Sequence, residues 1–134
     1  EQFDAFIMPW FERFTEQAHD HGYQVILHSC GSIYRVIERL IEAGVDGLHP
    51  LQARAANMDA ETLAREFGGR IAFVGGIDTQ ELLVHGSPQE VKADVRRVQR
   101  LLGPNLIVSP SHEALLPNVP PENVLAMSEA VRAN

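Results

Sequence analysis

The fold of this chain is decided by residues 24–32, which read QVILHSCGS. A short apolar run ends there in polar residues and a glycine, the pattern of a buried strand that leads into a loop. Since side chains i and i+2 of an extended strand face the same side, His28 and Cys30 converge on one point. Two ligands of this kind suit zinc. The alternative is a buried cysteine beside a hydrogen-bonded histidine, and the motif alone leaves both interpretations open.

The same strand-then-helix unit recurs along the rest of the chain. Predicted strands cover 24–27, 45–50, 71–74 and 106–108, the third continuing into Asp78. The predicted helices are 2–21, one capped by Ser32 and ended by Gly44, one capped by Asp59 that runs through Phe67, one from Ser87 to a break at Gly103, and 121–133. Short apolar strands that alternate with helices predict an α/β fold with parallel strands covered by helices.

Composition narrows the class of protein. The chain has 134 residues, 45% of them hydrophobic, which is enough for one domain with its own core. A net charge of −7 without basic clusters argues against nucleic acid and anionic membranes as partners, and favours a small-molecule substrate. No secretory or membrane-spanning run is present and a single cysteine cannot form an intrachain disulfide, so we expect a reducing cytoplasm.

Polar residues follow every predicted strand. Because the carboxyl ends of parallel strands meet at one edge, these residues should assemble one site. They are His28 and Cys30, then His49 and Gln52, then Asp78, then Ser109, Ser111, His112 and Glu113. Four such units amount to half of an eight-stranded barrel, which usually needs about 250 residues. We therefore expect residues 1–134 to be a single half-barrel from a longer chain, completed by a missing N-terminal half or by self-association into a homo-oligomer.

Four stretches carry a resemblance to a known family: HSCG at 28–31, DGLHPLQ at 46–52, VGGID at 74–78 and LPNVPPENV at 116–124. Together they resemble the C-terminal half of the (β/α)8 TIM barrel of the uroporphyrinogen decarboxylase superfamily. The resemblance runs over essentially the whole chain.

The His-x-Cys pair at 28–30 is closest to the zinc-dependent, corrinoid-linked methyltransferases of that superfamily. This resemblance implies a zinc ion held by His28, Cys30 and a third ligand, which in those enzymes is a cysteine and here matches His112. It also implies methyl transfer from a corrinoid on a partner protein to a thiol that zinc deprotonates. Glu113 would then provide a fourth ligand or a base, or it is a solvated acid of the loop.

Three further residues receive roles from their positions. Asp78, which matches a Gly-x-x-Asp segment of the family, either contacts a ligand or caps the following helix. His49 would hydrogen-bond a zinc ligand and so orient it, or is a hydrogen-bonded residue at the rim of the sheet. Gln52 would hydrogen-bond substrate.

Two alternatives stay open. One is decarboxylation of an acetate-bearing tetrapyrrole, as in the metal-free branch of the superfamily, in which His112 would lie beside the substrate. That substrate needs a cluster of cationic donors, and the strand-end positions offer none: Arg54, which follows the second predicted strand, is the nearest. The other is a truncated half-barrel without catalytic activity.

Overall fold

The computed structural model describes residues 1–133, and a four-stranded sheet organises them. The strands are β1 (Ile26–His28), β2 (Gly47–Leu51), β3 (Ala72–Ile77) and β4 (Leu106–Pro110). They lie in sequence order and every neighbouring pair is parallel. This arrangement of strand-then-helix units is that of half a TIM barrel, which confirms the predicted fold class.

Seven α-helices accompany the sheet within residues 1–133. They are α1 (Gln2–Phe6), α2 (Met8–Asp20), α3 (Ile37–Glu42), α4 (Ala60–Phe67), α5 (Leu82–His85), α6 (Pro88–Leu102) and α7 (Pro121–Arg132). In this part of the chain, none of the helices has the length and apolar character needed to cross a membrane.

The first predicted helix, 2–21, is interrupted at Ile7 and forms α1 and α2 instead. Pro9 lies in the first turn of α2, where its missing N–H costs nothing. In a continuous helix the same ring would clash with the carbonyl of Ala5, so the chain ends one helix and starts another. The prediction of a single helix was wrong for this reason.

The prediction that Ser32 caps a helix was also wrong. Its hydroxyl donates instead to the carbonyl of Ala56, at 2.6 Å, and so ties the loop after β1 to the loop after β2. The helix begins later, with a 3-10 turn at Tyr34–Val36 that leads into α3 and has no side-chain cap. By contrast, Asp59 caps α4 as predicted, because its carboxylate accepts from Thr62 N at 2.8 Å.

The hydrophobic core lies between the sheet and the helices. Leu48 of β2 and Phe73 of β3 are 1% exposed and belong to one cluster with Leu63, Val91 and Val95 from α4 and α6. Burial of each such side chain stabilises the fold by about 1.5–3 kcal/mol. Because Leu48 and Phe73 pack against the helices, their neighbours in β2 and β3 point to the opposite face of the sheet.

The opposite face of the sheet is open at both edges. Ile26 of β1 and Ile107 of β4 are 54% and 58% exposed, and these two strands form the ends of the sheet. Apolar residues on an open face with unpaired edge strands favour association with further chain. The expected homo-oligomer, or completion by an N-terminal half, remains a prediction.

The LPNVPPENV stretch has a structural role that the sequence did not predict. Asn123, in the first turn of α7, is 1% exposed, and its amide donates to the carbonyls of Leu83 at 3.1 Å and Gly86 at 2.8 Å. It thereby satisfies two carbonyls at the end of α5 and holds α7 against it.

Asp46, just before β2, joins three elements at the amino end of the sheet. Its Oδ2 accepts from Val25 N at 2.7 Å and from His19 Nε2 of α2 at 2.8 Å. Burial alone raises the pKa of Asp46, but the hydrogen bonds from His19 and Val25 outweigh it, so the net shift is downward. Asp46 therefore contributes to stability as a carboxylate.

We predict that Asp46→Asn lowers the free energy of unfolding by roughly 1 kcal/mol at pH 7, because a charge-assisted hydrogen-bond acceptor at a partly exposed position is lost. The folded-state pKa lies below the unfolded one, so the contribution is present above the ordinary carboxyl pKa and is lost as the pH falls through the folded-state value. Urea denaturation at several pH values should show that the free energies of unfolding of the two proteins converge in acid. Asp20→Asn, at the exposed end of α2, is the matched control, and an equal loss in both variants would contradict the assignment.

Candidate functional site

The side chains predicted to form a site lie at one edge of the sheet, because the strands are parallel and each residue follows or ends a strand. His28 ends β1, His49 lies in β2, Gln52 and Asp78 directly follow β2 and β3, and His112 and Glu113 follow β4. Cys30 is two residues beyond β1. This common placement is what the apolar runs in the sequence predict.

His28 and His49 are paired across β1 and β2. The strand register places the two residues opposite each other, and their Nδ1 atoms are 2.9 Å apart. A neutral imidazole carries one N–H, so in this contact one ring donates and the other accepts. The contact fixes the orientation of the His28 ring and leaves its Nε2 free to face the loop.

The Nε2 atom of His28 faces two further groups. The Sγ of Cys30 lies 3.5 Å from it and a carboxylate oxygen of Glu113 lies 3.9 Å away. Cys30 is a free, exposed thiol. A tetrahedral zinc ion with ordinary Zn–N and Zn–S bonds separates its nitrogen and sulfur ligands by about 3.6 Å. The His28–Cys30 pair therefore has the spacing of two zinc ligands.

Gln52 links the loop after β1 to His112. Its Oε1 accepts from Gly31 N at 2.8 Å, and its Nε2 lies 3.5 Å from His112 Nδ1. Gly31 has a φ of +80°, a left-handed conformation that a residue with a Cβ rarely adopts. The glycine after Cys30 thus allows the turn, and Gln52 stabilises it.

The expected third ligand is not gathered with the other two. Across residues 1–133, no three His, Cys, Asp or Glu side chains form a group that could hold a metal ion. The imidazole of His112 lies against Gln52, and Glu113 is the acidic residue in contact with His28. Ligation by His112 and a base or ligand role for Glu113 remain predictions.

Asp78 makes the contacts of a cap. Its Oδ1 accepts from Gln80 N at 3.0 Å, and its Oδ2 accepts from Glu81 N and Leu82 N, both at 3.2 Å. The turn into α5 is thus stabilised by the carboxylate. Of the two interpretations of Asp78, the structure provides contacts for the capping one.

The sequence identified Arg54 only as the cation nearest the strand ends, and did not place it in the site. Its Nη1 lies 3.7 Å from Asp78 Oδ2, and it lines a cavity of about 180 Å³ together with Gln52, Gln80, Ser111 and His112. Ser111 is almost fully buried, and its hydroxyl lies 3.3 Å from Thr79 N. The available signal was that Arg54 is two residues from Gln52 in the same loop.

Comparison with known families covers the whole chain. The family model for uroporphyrinogen decarboxylase (URO-D) matches residues 1–134. The chain belongs to the uroporphyrinogen decarboxylase family. This confirms the resemblance carried by the four sequence stretches.

Among solved structures, this member of the uroporphyrinogen decarboxylase family is similar to a methyltransferase from Methanosarcina mazei. The TM-score is 0.74 at 21% sequence identity, and the match covers 98% of this chain and 36% of the other. The chain thus spans little more than a third of that protein, and the likeness establishes a shared fold. No curated protein sequence matches the chain.

The contacts of Gln52 generate a prediction. Gln52→Ala removes the acceptor for Gly31 N, a hydrogen bond with a net value of about 1 kcal/mol, so amide exchange at Gly31 should accelerate about fivefold. Gln52→Glu retains an acceptor oxygen and should preserve most of the protection. Hydrogen exchange followed by NMR measures both. Unchanged exchange at Gly31 in Gln52→Ala would show that the loop is held by other contacts.

Proposed function

We propose that this chain belongs to the zinc-dependent methyltransferase branch of its family. In this proposal His28 and Cys30 hold a zinc ion, a thiol is the methyl acceptor, and the methyl donor is a corrinoid carried by a partner protein. The observation that carries the proposal is the 3.5 Å separation of His28 Nε2 and Cys30 Sγ.

The donor set supports zinc by its chemistry as well as by its spacing. Imidazole and thiolate are the ligands that zinc takes most often in proteins. The zinc-facing nitrogen of His28 would be Nε2, because Nδ1 is in contact with His49. A histidine ligand usually donates its other N–H to a neighbouring acceptor, which fixes the tautomer, and His49 is placed to accept it.

The chain's residues then take separate roles. When bound, zinc supplies the positive charge that favours the thiolate form of an acceptor thiol at an open position. His28 and Cys30 would bind the zinc ion, and His49 would orient His28. Either His112 or Glu113 would be the third ligand. The Glu113 carboxylate is 71% exposed, so it can also pass a proton from the thiol to solvent.

The shared fold with a methyltransferase supports the proposal. In this proposal, a corrinoid protein provides the methyl group. A thiolate needs an electrophilic methyl group, and the resemblance of the His-x-Cys pair is to enzymes that receive it from a corrinoid protein. The corrinoid protein would dock at the carboxyl ends of the strands, where His28 and Cys30 are exposed. The acidic chain offers no basic cluster for a nucleic acid substrate.

Decarboxylation of a tetrapyrrole is the second candidate, and Arg54 is the observation that favours it. An arginine beside His112 in a polar cavity is what a carboxylate-bearing substrate requires. This candidate needs no metal, so metal content separates the two functions.

We predict that the full-length protein binds about one zinc ion per chain and that Cys30→Ser loses it, since the serine hydroxyl is a far poorer zinc ligand than a thiolate. Elemental analysis by mass spectrometry measures the content. Ser29→Ala, the neighbouring position in the same loop, is the matched control and should retain zinc.

A folded, metal-free protein that also fails to take up added zinc would overturn the methyltransferase proposal and favour decarboxylation. Zinc retained in full by Cys30→Ser would place the metal elsewhere. Circular dichroism of each variant establishes that a loss of zinc does not reflect unfolding.

A further inference from the structure

The helix α5 is a single turn, Leu82–His85, and a helix of this length depends on contacts with the rest of the protein. Side chains from two other elements hold its two ends. At the start, the carboxylate of Asp78 accepts from three backbone N–H groups of the turn that follows β3. At the other end, the amide of Asn123 from α7 donates to two backbone carbonyls.

The two side chains are linked through very few residues of α5. Leu83 N donates to the carbonyl of Asp78 at 3.0 Å, and the carbonyl of Leu83 accepts from Asn123. The carbonyl of Gly86 also accepts from Asn123, while Gly86 N donates to the carbonyl of Leu82 at 2.9 Å. Leu82 N in turn donates to the Asp78 carboxylate. Each hydrogen-bonded path from Asn123 to Asp78 therefore crosses one or two residues.

The turn between β3 and α5 forms one wall of the candidate site. Asp78 and Gln80 line the cavity of about 180 Å³. Thr79 N lies 3.3 Å from the hydroxyl of Ser111, which follows β4, and Asp78 Oδ2 lies 3.7 Å from Arg54 in the loop after β2. A movement of this turn would change its contacts with both neighbouring loops.

Asn123 is suited to hold the turn from a distance. Its side chain is buried, and loss of its two bonds would leave two carbonyls unpaired. In the part of the chain that the structure describes, its Oδ1 is buried without a hydrogen-bond partner, so the two donated bonds are the polar link. Leucine has a similar shape and no donor, so Asn123→Leu removes that link alone.

We propose that Asn123 is a positioning residue of the candidate site. Through α5 it holds the turn that carries Asp78 and Gln80, although α7 contributes no residue to the lining of the cavity. The positioning role requires no metal and no assigned reaction. Its consequence for a thiol acceptor rests on the proposed function.

Hydrogen exchange of the full-length protein under native conditions, followed by NMR, tests the positioning role. In Asn123→Leu, exchange at the N–H groups of Glu81 and Leu82 should accelerate about tenfold, because α5 loses two hydrogen bonds. Asn123→Ser retains one donor and should accelerate exchange less. Asp46→Asn is the matched control, since it destabilises the fold at the amino end of the sheet and should leave exchange in this turn unchanged.

The reverse experiment leaves Asn123 in place and decides the outcome if Asn123→Leu does not fold. Asp78→Ala removes the cap of α5, and exchange of the Asn123 side-chain amide protons should then accelerate. A contact that only joins α7 to α5 would not respond to the cap. Unchanged exchange at the turn in Asn123→Leu, equal acceleration in Asp46→Asn, or an unaffected Asn123 amide in Asp78→Ala would each overturn the positioning role.

The consequence for the proposed function is measured separately, on zinc-loaded protein with methylcobalamin as the methyl donor and 2-mercaptoethanol as the acceptor. Asn123→Ser should raise KM for the thiol about fivefold, with kcat and zinc content almost unchanged, because the wall of the cavity is loosened and the zinc ligands are not. An unchanged KM would overturn this consequence. If exchange responds as expected and the unaltered protein transfers no methyl group, the positioning role stands and the methyltransferase proposal falls.

Discussion

The contact between His28 and His49 is the interaction on which the site depends. It joins the edge strand β1 to β2 at their carboxyl ends, with the two Nδ1 atoms 2.9 Å apart. The contact exists because the parallel register sets the two residues side by side. A slip of one residue would turn one ring to the other face of the sheet and separate the pair. Because Nδ1 of His28 is occupied, Nε2 is the atom that meets Cys30 and Glu113.

The common position of the site residues could be predicted from the sequence, since it follows from topology. Short apolar runs followed by polar residues predict parallel strands with their functional ends together, and the structure has that arrangement. Predictions from local sequence patterns were wrong where a residue far away in the sequence competes for the same hydrogen-bonding group. Ser32 has the chemistry of a helix cap, yet its hydroxyl donates to Ala56, 24 residues away. The hydrophobic periodicity of the sequence contains no information about that contact.

The same limit explains which parts of the site could not be predicted. The i, i+2 spacing of His28 and Cys30 is a local property and predicts their approach. The link from Gln52 to Gly31 depends on how two loops pack, and so does the place of His112 beside Gln52 instead of with the pair. The sequence places Arg54 near the strand ends, but its position beside Asp78, in one cavity with Ser111 and His112, depends on how three loops pack.

The central claim is that His28 and Cys30 together hold one metal ion. X-ray absorption spectroscopy at the zinc edge of the zinc-loaded full-length protein tests it most directly, because sulfur and nitrogen scatterers are distinguished by distance. The account predicts one sulfur at about 2.3 Å, with the remaining scatterers being nitrogen or oxygen at about 2.0–2.2 Å. One of these should show the multiple scattering of an imidazole ring. A first shell of nitrogen and oxygen alone, without sulfur, would contradict it.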